Sequence, residues 1–373
     1  MKCKAAVGVV AFSVLAVLGA PLSARAADDW HDHWNKVLAA AKQEGEVSCT
    51  CVPVPFIRQI IEERWAKDHP DIKLSYSPAT LPDIEPQITQ ERRAGKFIRD
   101  VYVWGSSPEV YVWEDQDFLA DLRPMIIEPE NTKESNWYGG FASRFQDVKK
   151  RSVFALSAPL QGITVRRDLV PDSELALPVD LLKPQFKGKW VVWDPRYGGA
   201  GANVLGWWNF LFGIDGPHGI RALLAHDPIV VPGPGRNPVT QMFRNNVPIN
   251  FGNTEETDLA PFRKAGFKVD VQSLGREPDR AFLGAGFYDI LIFKNAPHPN
   301  ASTVFLNWLM SRDVAQALIS KTDVSARTDI EATSRSGRAA PLPGAHYAFA
   351  GQTEVNIKKY RLPAMQIARE VLR

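Results

Sequence analysis

Residues 187–203 read KGKWVVWDPRYGGAGAN. Trp190, Val191, Val192 and Trp193 form a short apolar run of the kind found in a strand buried on both faces. Asp194 and Pro195 stop that run, Gly198, Gly199 and Gly201 follow, and an apolar helix is expected around Val204 to Phe212. A buried strand passing through a glycine turn into a helix is the building unit of an open parallel α/β sheet, whose strand ends form the ligand crevice. Glycines let backbone N–H groups approach a ligand, and the helix N-terminus favours an anion. Arg196 adds a fork suited to a carboxylate or phosphate, unless Asp194 neutralises it. The bland alternative is a turn that serves chain reversal alone. Arg196, Tyr197, Gly198, Gly199, Gly201 and Asn203 are the ligand-contact candidates in this stretch.

The same alternation extends in both directions. A helix from Trp34 to Gly45 precedes a strand from Glu46 to Val52; a helix from Phe56 to His69 leads to a strand through Ile72, Leu74 and Tyr76. Asp83 to Ala94 reads as a helix and Val101 to Trp104 as a buried strand, so this half predicts a parallel sheet with right-handed crossovers. The pattern restarts with strands at Val153–Ser157 and Ile163–Arg166, then Ile229–Val231, Pro248–Phe251, Lys268–Val271 and Phe287–Phe293. Helices dominate afterwards: Ala301–Met310, Val314–Ser320 and Gln352 to the C-terminus. Two α/β units are expected, with the helical tail packing back on the first.

Composition sets the bounds. The chain has 373 residues, 45% hydrophobic and 23% charged, enough for a large core or two, and too apolar for extended disorder. Lys2 and Lys4 precede an apolar stretch from Ala5 to Ala20, Pro21 breaks it, and Ala24-Arg25-Ala26 offers small residues where a signal peptidase reads. Residues 1–26 are therefore read as a secretory signal peptide cleaved after Ala26, since a membrane span needs about 20 apolar residues. Cys3 precedes the apolar stretch and is not placed as a lipoprotein cysteine. Losing Lys2, Lys4 and Arg25 from the 44 basic residues leaves 41 against 42 acids, a mature balance of −1. No nucleic-acid partner is expected from so neutral a chain. Cys49 and Cys51 remain; bridging them would close a small ring within a strand, so free thiols packed as small hydrophobes are expected.

Catalytic signatures are absent: no Gly-x-Ser-x-Gly elbow, Walker loop, His-Glu-x-x-His or Cys-x-x-Cys occurs. His31-Asp32-His33 reads as a solvated helix start rather than a metal site, and neither metal nor cofactor is expected. Other strand ends carry groups suited to a small polar ligand: Val54 after the first strand, Thr80 after the second, and Trp104, Ser106 and Ser107 after the third. In the second unit Asn253 holds the same position. Each taken singly also suits a turn or a helix cap. Trp34, Trp65 and Trp308 lie on apolar helix faces, whereas Trp104 and Trp193 stand at strand ends where stacking on a ligand competes with packing.

Taken with WNKVLAAAKQEG (34–45), ERRAGKFIRDV (91–101), KGKWVVWDPRYGGAG (187–201) and KNAPHPNASTVFLNWLMS (294–311), the chain resembles bacterial extracellular solute-binding proteins, the periplasmic receptors of ABC importers, in their ferric-binding-like branch. The resemblance implies the α/β, two-lobed type II periplasmic binding fold, each lobe a mixed, mostly parallel sheet flanked by helices and joined by crossover strands. The lobes would comprise 27–158 plus 294–373 and 159–293, with crossings near Ser157-Ala158-Pro159 and Gly284 to Tyr288. It implies hinge closure on a solute in the interlobe cleft, delivery to membrane permease subunits, a periplasmic location, and a monomer that is not an enzyme. The ferric label does not carry over: ferric-binding members offer adjacent tyrosines, whereas Tyr197 stands alone and no tyrosine pair occurs. An organic anion fits better than Fe³⁺, a hard cation that wants several anionic oxygens. Alternatives are a periplasmic sensor serving a membrane histidine kinase, a ferric-ion carrier and, last, a secreted hydrolase.

Overall fold

The computed structural model describes residues 22–372 except 80, 105–107, 155–157, 161, 233–236, 253, 255, 276–281, 285–288, 323–324, 331–348 and 351–352. The chain opens with α1 (Leu22–Glu44), β1 (Glu46–Cys51), α2 (Pro55–Asp68), β2 (Lys73–Pro78), α3 (Leu81–Arg93), β3 (Val101–Trp104) and α4 (Pro108–Asp115). A short α5 (Pro129–Thr132) precedes β4 (Ser152–Phe154), β5 (Ala158–Leu160), β6 (Ile163–Arg166) and β7 (Trp190–Trp193). Then come α6 (Ala200–Phe212), α7 (Ile220–Leu224), β8 (Ile229–Val231), α8 (Pro238–Arg244), β9 (Ile249–Phe251), α9 (Glu256–Lys264) and β10 (Val271–Leu274). The remainder is β11 (Phe282–Gly284), β12 (Asp289–Ile292), α10 (Pro299–Met310), α11 (Arg312–Thr322), β13 (Phe349–Ala350), α12 (Glu354–Asn356) and α13 (Leu362–Val371).

Two five-stranded sheets result, ordered β2-β1-β3-β12-β4 and β10-β6-β9-β7-β8. Each contains three neighbouring parallel strands, β2-β1-β3 and β9-β7-β8, extended on one side by antiparallel partners. The helix crossovers read in the sequence make the parallel parts; the antiparallel strands enter from outside those repeats. The strand expected at Lys268–Val271 begins only at Val271.

The first core is built around α10, buried throughout from Ala301 to Met310. Trp65, Phe305 and Trp308 meet there with ring centroids 5.1–5.6 Å apart, each ring worth roughly 1.5–3 kcal/mol in buried area. Glu44, at the end of α1, accepts hydrogen bonds from the backbone N–H groups of Asn300 (3.2 Å) and Ala301 (2.7 Å), capping α10 with a carboxylate.

Three sequence expectations are corrected here. Cys49 and Cys51 are joined in a disulfide, with Cα atoms 5.3 Å apart. Residues two apart on a strand share a face, so both sulfurs enter the same core. Next, β12 lies in the first sheet between β3 and β4, although 159–293 was assigned to the second lobe. All four of its residues are buried there. Last, the tail does not return wholly to the first unit. Ala364, Ile367 and Ala368 of α13 join the second core beside Trp207 and Trp208 of α6 and Ile220 and Leu223 of α7. The reason is α6, which buries an unbroken run from Val204 to Asn209 and so needs cover on more than its sheet side.

The crossings form a small third sheet. Gly284 of β11 pairs opposite Ala158 of β5, and β13 runs parallel to β11, a third passage that the sequence did not reveal. Ser157 and 285–288 lie outside the described residues. Beyond β13 the tail straps the two units together. The Glu354 N–H donates to Gln146 O (2.9 Å) and its carboxylate accepts from Val148 N (3.0 Å), while α13 sits on the second core.

A chain beginning at Ala27, denatured without reductant, should show no reactive thiol, and two after reduction; two before reduction would remove the disulfide. A second expectation concerns Glu114, 3% exposed and 3.3 Å from the Lys149 ammonium. Burial raises its pKa, the Asp147 and Glu354 charges push the same way, and Lys149 opposes them. A folded-state pKa above the unfolded one gives stability that is full in acid and lost as pH rises through the folded value. Glu114→Gln should therefore melt higher than the parent protein above the ordinary carboxylate pKa of 4.5, with the gain vanishing below it. Melting curves across pH check this; a gain confined to acid pH would refute it.

Candidate functional site

The stretch after β7 is fixed from both sides. Asp194, 6% exposed, accepts from the Arg196 backbone N–H (3.0 Å), Nε (2.9 Å) and Nη2 (2.7 Å). Burial works to raise the Asp194 carboxyl, but the hydrogen bonds and charge of Arg196 outweigh it and hold the pKa below the usual range; the Arg196 pKa is raised in turn by the same bonds. Arg196 Nη1 donates to Leu372 O (2.7 Å), and Arg369 Nε donates to Arg196 O (2.9 Å). The guanidinium is thus engaged by Asp194, the alternative raised in the sequence, and it fastens the turn to the end of α13.

Tyr197, 67% exposed, Gly198 and Gly199 then lead into α6. Gly199 has φ +88°, a left-handed conformation that strains any side chain. Gly201 is needed for a different reason: a Cβ there would lie 2.1 Å from the carbonyl oxygen of Trp193, so the first turn of α6 rests directly on the end of β7. Asn203 closes that turn, its N–H donating to Gly199 O (3.0 Å) and its buried Oδ1 accepting no hydrogen bond. An amide acceptor left unmatched beside a helix N-terminus is suited to a ligand that brings a donor.

Sheet register gathers the other candidates. Val192 lies opposite Phe251, so the β7–α6 turn and the loop after β9 leave the second sheet side by side. Asn250, 1% exposed, holds that loop by donating to Thr254 Oγ1 (3.0 Å), with Thr164 donating to Gly252 O (3.4 Å). In the first sheet Cys51 lies opposite both Pro78 and Val103, so segments beginning at Val52, Ala79 and Trp104 leave one edge together. Val54 is partly buried against the first core and caps α2, its carbonyl accepting from Ile57 (3.1 Å) and Arg58 (3.0 Å). Trp104 ends β3. Thr80, Ser106, Ser107 and Asn253 lie outside the described residues. Trp193 packs partly buried against a hydrophobic cluster of the second unit, and Trp65 and Trp308 are core, as expected.

The sequence reading passed over Tyr111 and Arg361. Tyr111 of α4 is 5% exposed, and Arg361, just before α13, is 1% exposed. The signal available was the cationic and aromatic run Lys358-Lys359-Tyr360-Arg361 ahead of Pro363, which interrupts an amphipathic tail. Among the described residues no cluster of His, Cys, Asp and Glu could hold a metal ion. Gly201→Ala should cost about 1–3 kcal/mol, the range for overpacking, because backbone rather than a movable side chain stands in the way. Urea denaturation measures it; an unchanged midpoint would show that α6 can slide off β7.

The fold has known counterparts. Similar solved structures include iron-bound HitA from Pseudomonas aeruginosa (TM-score 0.64, 14% identity, 87% of this chain and 99% of that one). FutA from Trichodesmium, in complex with iron and citrate, aligns at TM-score 0.64 and 13% identity over 88% and 99%. A ferric binding protein from Campylobacter jejuni aligns at 0.66 and 13% over 87% and 98%. They establish a type II periplasmic binding architecture for this chain. A search of curated proteins with the sequence returns no match. Among the described residues no helix is long and apolar enough to cross a membrane. A family model described as bacterial extracellular solute-binding protein matches residues 53–316, and the chain belongs to that family.

Proposed function

We propose that this solute-binding protein serves an ABC importer from the periplasm, taking up a small organic anion between its two α/β units and presenting the closed form to membrane permease subunits. Both sheets send their parallel strands' carboxyl ends into loops of the binding type, and the solute would touch both sets. On the second unit the candidates are Tyr197, Gly198, Gly199, Gly201, Asn203 and Asn253; on the first they are Val54, Thr80, Trp104, Ser106 and Ser107. Arg196 shapes this turn through its bonds to Asp194 and Leu372 O. Ligand that bridges both units shifts an open–closed equilibrium by its extra affinity for the closed state.

The observation that carries the reading is the β7–α6 turn. It combines a left-handed glycine, a helix start pressed onto its strand, and an unmatched buried amide oxygen at Asn203. Backbone N–H groups there favour an anion bearing a hydroxyl or amine. HitA and FutA are described with iron, and FutA with citrate as well. This chain has no adjacent tyrosines, so the citrate-like component is the better guide to its own solute.

A thermal-shift screen of metal-stripped protein tests this, with citrate, phosphonates, sugar phosphates, inorganic phosphate and Fe³⁺ as probes. A solute at 100 times its Kd should stabilise the fold by about 2.7 kcal/mol. Stabilisation by Fe³⁺ alone would overturn the organic-anion reading.

A further inference from the structure

Arg144 ends a short helical turn, Phe141–Arg144, and is 3% exposed. Gly139 and Gly140, with φ +71° and +83°, turn the chain back ahead of it, so its head returns onto its own loop. Nε and Nη2 donate to Ser143 Oγ (3.3 and 2.9 Å), and Nη2 also donates to Tyr138 O (2.7 Å). Nη1, with both its hydrogens, is buried without a hydrogen-bond partner. Arg166 and Arg327, also buried, pair with Asp168 and Asp329, and Arg92 lies among the rings of Phe97, Phe118 and Phe293 at 4.6–5.6 Å. Among the described residues no acid and no aromatic ring does this for Arg144. Glu134 of the same loop is spent on the Phe141 N–H (2.7 Å). Burial alone lowers the Arg144 pKa, to about 10, so the group is still a cation at neutral pH.

Strand register fixes where this charge stands. Phe145 forms an antiparallel bridge with Val153, and the Gln146 N–H donates to Ser152 O (3.1 Å), so residues 145–146 run alongside β4. Arg144 therefore falls level with Phe154, and Asp289 lies opposite both Phe154 and Trp104. That level is the carboxyl edge of the parallel strands, from which the candidate loops leave. Three strand spacings, about 14 Å, separate this position from β3, which puts it beside the end of β4, where the chain leaves for β5.

We propose that Arg144, steadied by Ser143 and Tyr138 O, binds an oxyanion beside the crossing, at a site separate from the β7–α6 turn. Carboxylate, phosphate and sulfate groups share the chemistry required: a charged oxygen that accepts from Nη1 and brings the missing counter-charge. A buried cation without a partner is costly, and an anion from outside the chain removes that cost. An anion held there would be shielded from water with the guanidinium, which strengthens the contact. Its source is either a free inorganic ion or the charged end of an organic solute. The proposal goes beyond the organic-anion reading and does not depend on it, since an inorganic ion at Arg144 leaves the solute open.

Calorimetry on metal-stripped parent protein, Arg144→Gln and an exposed control, Arg123→Gln, tests this with sulfate, inorganic phosphate and citrate at matched ionic strength in chloride. The parent should bind at least one of the three. Arg144→Gln should bind that anion at least about tenfold more weakly, as expected for a lost charge-assisted hydrogen bond, and Arg123→Gln should stay within about twofold of the parent. A folded Arg144→Gln within about twofold of the parent for every anion overturns the proposal, and so does a parent that binds none of them. Where the loss is seen for both phosphate and citrate, titrating citrate into phosphate-saturated parent separates the sources. Simultaneous binding upholds a free-ion site, and competition upholds one that takes the carboxylate end of an organic solute. If Arg144→Gln does not fold, crystals of the parent grown with the tightest-binding anion decide. That anion within hydrogen-bond distance of Arg144 Nη1 upholds the site, and its absence there overturns it.

Discussion

The contact between Gly201 and the carbonyl of Trp193 sets the position of α6, and α6 sets much else. A helix start can be aimed at a ligand only when its axis is anchored, and here the anchor is backbone against backbone. With its axis fixed, α6 presents Trp207 to the groove lined by Gly162 and Gly275, Trp208 to α7 and Gly206 to the tail. Glycine is required at several of these points for distinct reasons. At Gly199 the backbone turns left-handed, at Gly201 a strand end intrudes, and at Gly206 another chain segment passes. Together they exchange side-chain packing for proximity, which a site built from main-chain donors needs.

The chain's polar economy points the same way. Charges that look available on the surface of the sequence are mostly spoken for in the fold. Arg196 is held by Asp194, Arg166 by Asp168, and Arg327 by Asp329, in each case two residues along the chain. Such local pairs rigidify turns and leave recognition to groups brought together by tertiary structure. Arg361 is placed by tertiary structure in this way: α6 passes it at Gly206, and the turn after β7 reaches it at Gly198.

This difference explains what was legible in the sequence. Val101–Trp104, Ile163–Arg166, Trp190–Trp193 and Ile229–Val231 coincide with strands, because short apolar runs between glycine and proline signals have few other uses. The clustering of candidate loops at strand ends was also readable, since parallel register follows from helix crossovers. The crossing at Ala158 and Gly284 was anticipated from the resemblance, while β13 was not, because two residues carry no periodicity. The Cys49–Cys51 bridge was misjudged by weighing ring size above the shared face of a strand. The destination of α13 was missed for a deeper reason: its apolar stripe of Ala364, Ile367 and Ala368 fits any complementary surface, and sequence does not say which. Arg361 escaped notice with it.

The placement of α13 also has a temporal side. A polypeptide made or threaded from its N-terminus presents Ala364, Ile367 and Ala368 long after Ile163 and Val165, yet all five belong to one core. The second unit therefore lacks part of its interior until α13 has emerged, whereas the first sheet awaits only β12. Completion of the later unit waits on α13, and a product truncated before it would carry an exposed apolar face on α6 as the mark of its incompleteness.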